Sequence, residues 1–103
     1  MSLISRVVSW FRGTLKEASA SDLYLALDFD RTGERLAAGG ADNGIVVLDS
    51  VSGAEKLRIH QHADWVMDVA FSGDGGRLVS ASRDRSARIY NAATGELELS
   101  YPG

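Results

Sequence analysis

The chain has 103 residues, enough for one small domain, and its 11 basic against 14 acidic side chains give a formal net charge of -3. That balance argues against nucleic acid or an anionic membrane as the main partner. The absence of cysteine excludes disulfides, thiolate metal sites and thiol catalysis, and fits a reducing, cytoplasmic setting. No stretch approaches the roughly 20 apolar residues of a membrane-spanning helix, and Ser5, Arg6 and Ser9 interrupt the apolar core that a secretory signal needs.

Residues 1–20 come first. Ile4, Val8, Phe11 and Leu15 recur at helical spacing, with Arg6, Arg12 and Lys16 off the stripe, which predicts a short amphipathic helix weakened at Gly13. A second reading takes Gly13-Thr14-Leu15-Lys16 as an outer strand, by its likeness to Gly95-Glu96-Leu97-Glu98. A membrane-surface role for the three basic residues is opposed by Glu17 and the acidic remainder.

From residue 21 onward the chain repeats itself. Shifted by 42 residues it aligns without a gap, carrying Asp22 onto Asp64, Phe29 onto Phe71, Gly33 onto Gly75, Asp42 onto Asp84 and Gly53 onto Gly95. A period in the forties with β-type composition points to propeller blades of four short strands each. The first unit, 21–61, predicts strands over 23–29, 35–39, 45–49 and 54–59, with turns at Gly33, Gly44 and Gly53. The second unit, 62–103, predicts strands over 65–71, 77–82, 86–90 and 96–101. Inner runs such as Leu36-Ala37-Ala38-Gly39 and Ile45-Val46-Val47-Leu48 lack polar alternation, as expected of strands covered on both faces. The last strand of each unit alternates, which suits an outer, wet position.

The second unit spells out a known pattern. His62-Ala63-Asp64-Trp65-Val66, Val69-Ala70-Phe71-Ser72-Gly73-Asp74-Gly75, Leu78-Val79-Ser80-Ala81-Ser82-Arg83-Asp84 and Ala87-Arg88-Ile89-Tyr90-Asn91 together closely resemble a WD repeat. The first unit is looser, with Leu48-Asp49 at the signature dipeptide. The resemblance implies an all-β fold of two four-stranded antiparallel blades and a binding rather than a catalytic role. It further implies a buried hydrogen-bond chain of histidine, serine or threonine, aspartate and tryptophan. Carried over, these are His62, Ser82, Asp84 and, in place of tryptophan, Tyr90. In the first unit the matching positions are Ala20, Gly40, Asp42 and Leu48, so only the aspartate survives and that blade is left to packing and turns.

His62, Ser82 and Asp84 also have the composition of a catalytic triad, but nothing in the sequence supplies an oxyanion hole, and the structural network explains all three. His60 and His62 make an incomplete metal site. Gly39-Gly40-Ala41-Asp42-Asn43-Gly44 lacks the lysine and helix of a phosphate-binding loop. No catalytic residue, metal or cofactor is therefore assigned. The candidate partner-binding rim is Trp65, Arg83 and Arg85, with Asn43 in the first unit, since arginine and tryptophan are typical interface anchors. The expected partners are other proteins, and further blades supplied by copies of the chain or by a longer propeller. Two blades by themselves leave two apolar faces open, unless residues 1–20 cover one.

Overall fold

The computed structural model describes residues 24–102; the amphipathic segment 1–20 lies outside the described residues. Eight strands follow in order. They are β1 (Tyr24–Phe29), β2 (Arg35–Gly40), β3 (Ile45–Asp49), β4 (Glu55–Ile59), β5 (Val66–Phe71), β6 (Arg77–Ser82), β7 (Ser86–Asn91) and β8 (Leu97–Pro102). They form two antiparallel sheets in sequence order, β1-β2-β3-β4 and β5-β6-β7-β8, here called blade 1 and blade 2.

The repeat holds at the level of irregularities. Blade 1 has register shifts at Tyr24/Ala26 and Val47/Leu48, and blade 2 has them 42 residues on, at Val66/Asp68 and Ile89/Tyr90. Positive φ occurs at Gly33 and Gly53, at their counterparts Gly75 and Gly95, and at the pair Asn43 (68°) and Arg85 (72°). The sequence placed glycine 44 at the β2–β3 turn for this purpose; the left-handed residue is its neighbour Asn43, a type that tolerates that region.

The two blades meet face to face. Ala26, Ala37, Ile45, Val47 and Ile59 of blade 1 pack with Val66, Val69, Leu78, Tyr90 and Ala92 of blade 2 in one core. β2 and β5 approach so closely that a Cβ on Gly39 would stand 2.6 Å from Val66 Cγ1, so only glycine fits there. Phe71 N donates to Asp28 Oδ2 across the interface at 2.8 Å.

Arg35 forms a second bridge. It donates to Asp30 Oδ2 (2.8 Å) and to Gly75 O of blade 2 (2.7 Å), and it lies 4.9 Å over the Phe71 ring. Burial raises the Asp30 carboxyl, but the Arg35 hydrogen bond, with Thr32 and the Arg35 amide, outweighs it and brings the pKa down to about 2.

The outer faces differ. On blade 1 the face turned away from blade 2 is already buried: Leu36, Ala38, Val46 and Leu48 form a second cluster flanked by Tyr24 and Phe29. On blade 2 it is open, and β6 alternates between buried Leu78 and Ser80 and exposed Arg77, Val79 and Ala81. Among the described residues no strand lies over the outer face of either blade. The last strands differ too: β8 is exposed throughout, whereas β4 buries Ile59.

Candidate functional site: the polar spine and rim of blade 2

The loop before β5, the turn after β6 and the interior of blade 2 are tied together by one chain of polar side chains. His62, whose side chain is 1% exposed, places Nδ1 2.8 Å from Asp84 Oδ2 and Nε2 2.6 Å from Ser80 Oγ. Ser80 Oγ lies 3.2 Å from the Tyr90 hydroxyl, and both residues are fully buried. A carboxylate only accepts, so Nδ1 carries a hydrogen. In a neutral ring Nε2 then accepts the Ser80 hydroxyl, which takes the Tyr90 proton. In an imidazolium both nitrogens donate and Ser80 donates on to Tyr90. Either proton arrangement completes the chain.

Asp84 is the hub. It also accepts from Ala63 N (3.0 Å), Ser86 N (2.9 Å) and the Ser86 hydroxyl, with Arg88 Nη1 3.7 Å away. Burial raises its pKa, but the Ser86 hydroxyl, the Ala63 amide and His62 together hold it well below the usual carboxylate range. Burial pushes the Tyr90 phenol upward, which keeps it a neutral hydrogen-bonding group. Among the described residues no buried side-chain polar atom lacks a partner, as a network of this kind requires.

One expected member is displaced. Ser82 does not touch His62; its hydroxyl donates to Asp64 O (3.2 Å) and accepts from Asp84 N (3.1 Å). The serine of the spine is Ser80. Residues 80 and 82 share a face of β6 because strand side chains alternate. Ser80 sits deeper, diagonal to Tyr90, whose cross-strand partner is Leu78. Ser82, at the strand end, closes the turn instead. Ser86 was also missed; it lies two residues beyond Asp84, within reach of a turn carboxylate.

The rim residues sit on this spine. Arg83 N donates to Trp65 O at 2.9 Å, and Arg83 Cζ lies 4.9 Å over the Trp65 ring. Trp65 is 37% exposed, and Arg83 and Arg85 are exposed. Arg85 occupies the left-handed position of the β6–β7 turn, and Asn43 the matching one in blade 1. Beside Asn43, Asp42 accepts from Gly44 N (3.0 Å) and lies 3.7 Å from Arg58. His60 is exposed against Gly44 rather than joined to the spine. Among the described residues no group of three or more His, Cys, Asp or Glu is placed to hold a metal ion.

Comparison with known proteins matches this region directly. The profile described as "WD domain, G-beta repeat" covers residues 53–91. The nuclear distribution protein PAC1 of Coccidioides posadasii is 36% identical over 72 residues, 70% of this chain and 15% of that protein. The Notchless protein homolog of Arabidopsis thaliana is 38% identical over 71 residues, 68% of this chain and 15% of that protein. The Retinoblastoma-binding protein 5 homolog of Drosophila melanogaster is 34% identical over 73 residues, 71% of this chain and 15% of that protein. A solved structure titled "Structure of U3-55K" superposes with a TM-score of 0.74 at 26% identity, covering 78% of this chain and 24% of that one. The chain therefore spans about 15% of the length of these curated relatives.

Proposed function

From the premise that this chain carries WD repeats of the β-propeller family, we propose that it is a protein-interaction scaffold whose binding rim is centred on Trp65, Arg83 and Arg85, with Asn43 alongside. The observation that carries the reading is the exposed Arg83–Trp65 pair, held by a backbone bond and anchored on the Asp84 spine. A cation stacked on an aromatic face, already fixed before binding, meets an acidic or backbone-rich partner at little ordering cost. Names among the relatives support this reading: one is named a Retinoblastoma-binding protein 5 homolog and another a Chromatin assembly factor 1 subunit FAS2 homolog.

A hydrolase or metal enzyme using His60 and His62 fits less well. Both ring nitrogens of His62 are engaged and its side chain is buried, so no nitrogen is left for a substrate or metal. A second reading, a module that assembles with further blades, is favoured by the open face of blade 2.

Affinity capture with the intact protein and with Trp65→Ala and Arg83→Glu variants tests the rim. The expected result is loss of the captured proteins with melting temperature changed by no more than a few degrees. Retention of the same proteins by both variants would overturn it.

A further inference from the structure

The β6–β7 turn carries two arginines whose charge nothing beside them offsets. Arg83 and Arg85 are exposed, and among the described residues neither guanidinium has a carboxylate within ion-pair distance. Arg35, Lys56, Arg58, Arg77 and Arg88 each have one. The acid between the two arginines is engaged elsewhere. The Asp84 side chain is 10% exposed, and its oxygens accept from His62, Ala63 N, Ser86 N and the Ser86 hydroxyl. Asp64, in the loop before β5, accepts from Trp65 N at 2.7 Å. In a chain of formal net charge -3 the turn is thus a local patch of uncompensated positive charge. The blade 1 counterparts, Ala41 and Asn43, carry no charge. Arg85 moreover holds φ 72°, where glycine or asparagine is favoured, so its charge stands there against the local backbone preference.

The kind of anion is narrowed by the donors. A phosphoryl group has three oxygens to satisfy and is commonly met by backbone amides as well as cations. This turn has no amide to spare. Arg83 N donates to Trp65 O (2.9 Å), Asp84 N to Ser82 Oγ (3.1 Å), Arg85 N to Ser82 O (3.2 Å) and Ser86 N to Asp84 Oδ1 (2.9 Å). A carboxylate has two oxygens, and the planar fork of one guanidinium matches both. Stacking at 4.9 Å on the Trp65 ring orients the Arg83 fork and leaves its N–H edge free. A long polyanion would also meet the net negative charge of the chain. Two residues beyond Trp65, at the register shift in β5, Met67 is 47% exposed and adds an apolar surface.

We infer that the rim takes an acidic segment of a partner protein, with carboxylates on Arg83 and Arg85 and an apolar side chain on Met67 beside the indole. The inference rests on the rim reading and deepens it, because the rim then selects its partner by charge.

The test is fluorescence anisotropy of labelled peptides with the intact protein. The probes are a Glu-Leu-Glu segment, its Gln-Leu-Gln, Lys-Leu-Lys and phosphoserine analogues, and heparin. The Glu peptide is expected to bind, the Gln peptide at least ten-fold more weakly, and both salt and the Lys exchange should abolish binding. Arg83→Glu and Arg85→Glu each weaken the Glu peptide roughly ten-fold, with melting temperature within a few degrees of the parent. Arg31→Glu makes the same change in net charge at the β1–β2 turn, which Arg35 ties to Gly75 at the other end of the blades. It should leave binding within two-fold. Equal binding of the Glu and Gln peptides, tighter binding of phosphoserine or heparin, an equal loss from Arg31→Glu, or no binding at millimolar peptide overturns the inference. If Trp65→Ala still loses the captured proteins while Glu and Gln peptides bind alike, the rim stands and its preference for acid falls.

Discussion

Where blade 2 carries Ser80, Arg88 and Tyr90 facing inward, blade 1 carries Ala38, Val46 and Leu48 at the same register positions. The strands, register shifts and left-handed turn positions otherwise recur 42 residues apart. A blade can therefore be filled with hydrocarbon or with a satisfied polar chain, and the backbone does not change. What the polar chain adds is attachment: His62 and Ala63 are bonded to Asp84, so the loop entering β5 is fixed to the turn after β6. That loop and turn are where Trp65 and Arg83 stand. Blade 1 has the matching Asp42, bonded within its own turn to Gly44 N.

The sharpest way to break this contrast is to remove the hubs. Asp84→Ala strands four donors, two of them side chains, and should cost about 3–5 kcal/mol. Asp42→Ala loses one turn bond and an exposed pair, about 1 kcal/mol. Urea unfolding of the two variants measures both, and equal losses would remove the distinction. Exchanging His62, Ser80 and Tyr90 together for alanine, alanine and leucine, with Asp84 kept as blade 1 keeps Asp42, should cost less than the sum of the three single exchanges, because no partner is then left half-paired.

A smaller difference separates the matching arginines. Arg35 bridges the blades and satisfies Asp30, so Arg35→Ala should destabilise by about 2–3 kcal/mol. Arg77→Ala, at an exposed pair, should cost under about 1 kcal/mol at concentrations where the protein is monomeric.

Acid sharpens the same point. Asp30 is depressed from 3.8 to about 2 because its bonds to Arg35 and Thr32 outweigh burial. A lowered folded pKa gives stability that is complete above the unfolded value and is lost as pH falls through the folded one. Melting temperature should therefore fall between pH 3.8 and 2, and Asp30→Asn should flatten part of that fall. Asp84 contributes with the same sign, being depressed too. The acid at the matching turn of blade 2, Asp74, is lowered too, by the Ser72 hydroxyl and the Gly76 amide, but it is exposed, so Asp74→Asn should flatten the profile less than Asp30→Asn.

The smallest effect concerns the left-handed turn residues. Arg85 holds φ 72° without the local hydrogen bonding that suits asparagine to that region. Arg85→Gly should stabilise by about 0.5–1 kcal/mol, while Asn43→Gly should be close to neutral. If Arg85 belongs to the rim, the same variant binds partners more weakly while melting higher.

The sequence alone determined the repeat, its 42-residue period and all eight strands to within a residue or so, because glycine turns and apolar runs are local signals that recur in register. The resemblance to a WD repeat implied one chain of His62, Ser82, Asp84 and Tyr90, and the hydrogen bonds run through His62, Asp84, Ser80 and Tyr90. It did not separate Ser80 from Ser82: both lie on the same side of one strand, and only the depth to which the His62 ring reaches decides which hydroxyl it meets. Nor did it show which face of each blade meets the other blade. Alternation in β6 is visible as Leu78, Ser80 and Ser82 against Val79 and Ala81, but small residues on both sides carry no clear polarity. Which face is wet is a property of what packs on it, and that is set by contacts between strands tens of residues apart. The tertiary structure alone decided which faces meet, at Gly39 against Val66, where a missing methyl group lets one blade close on the next.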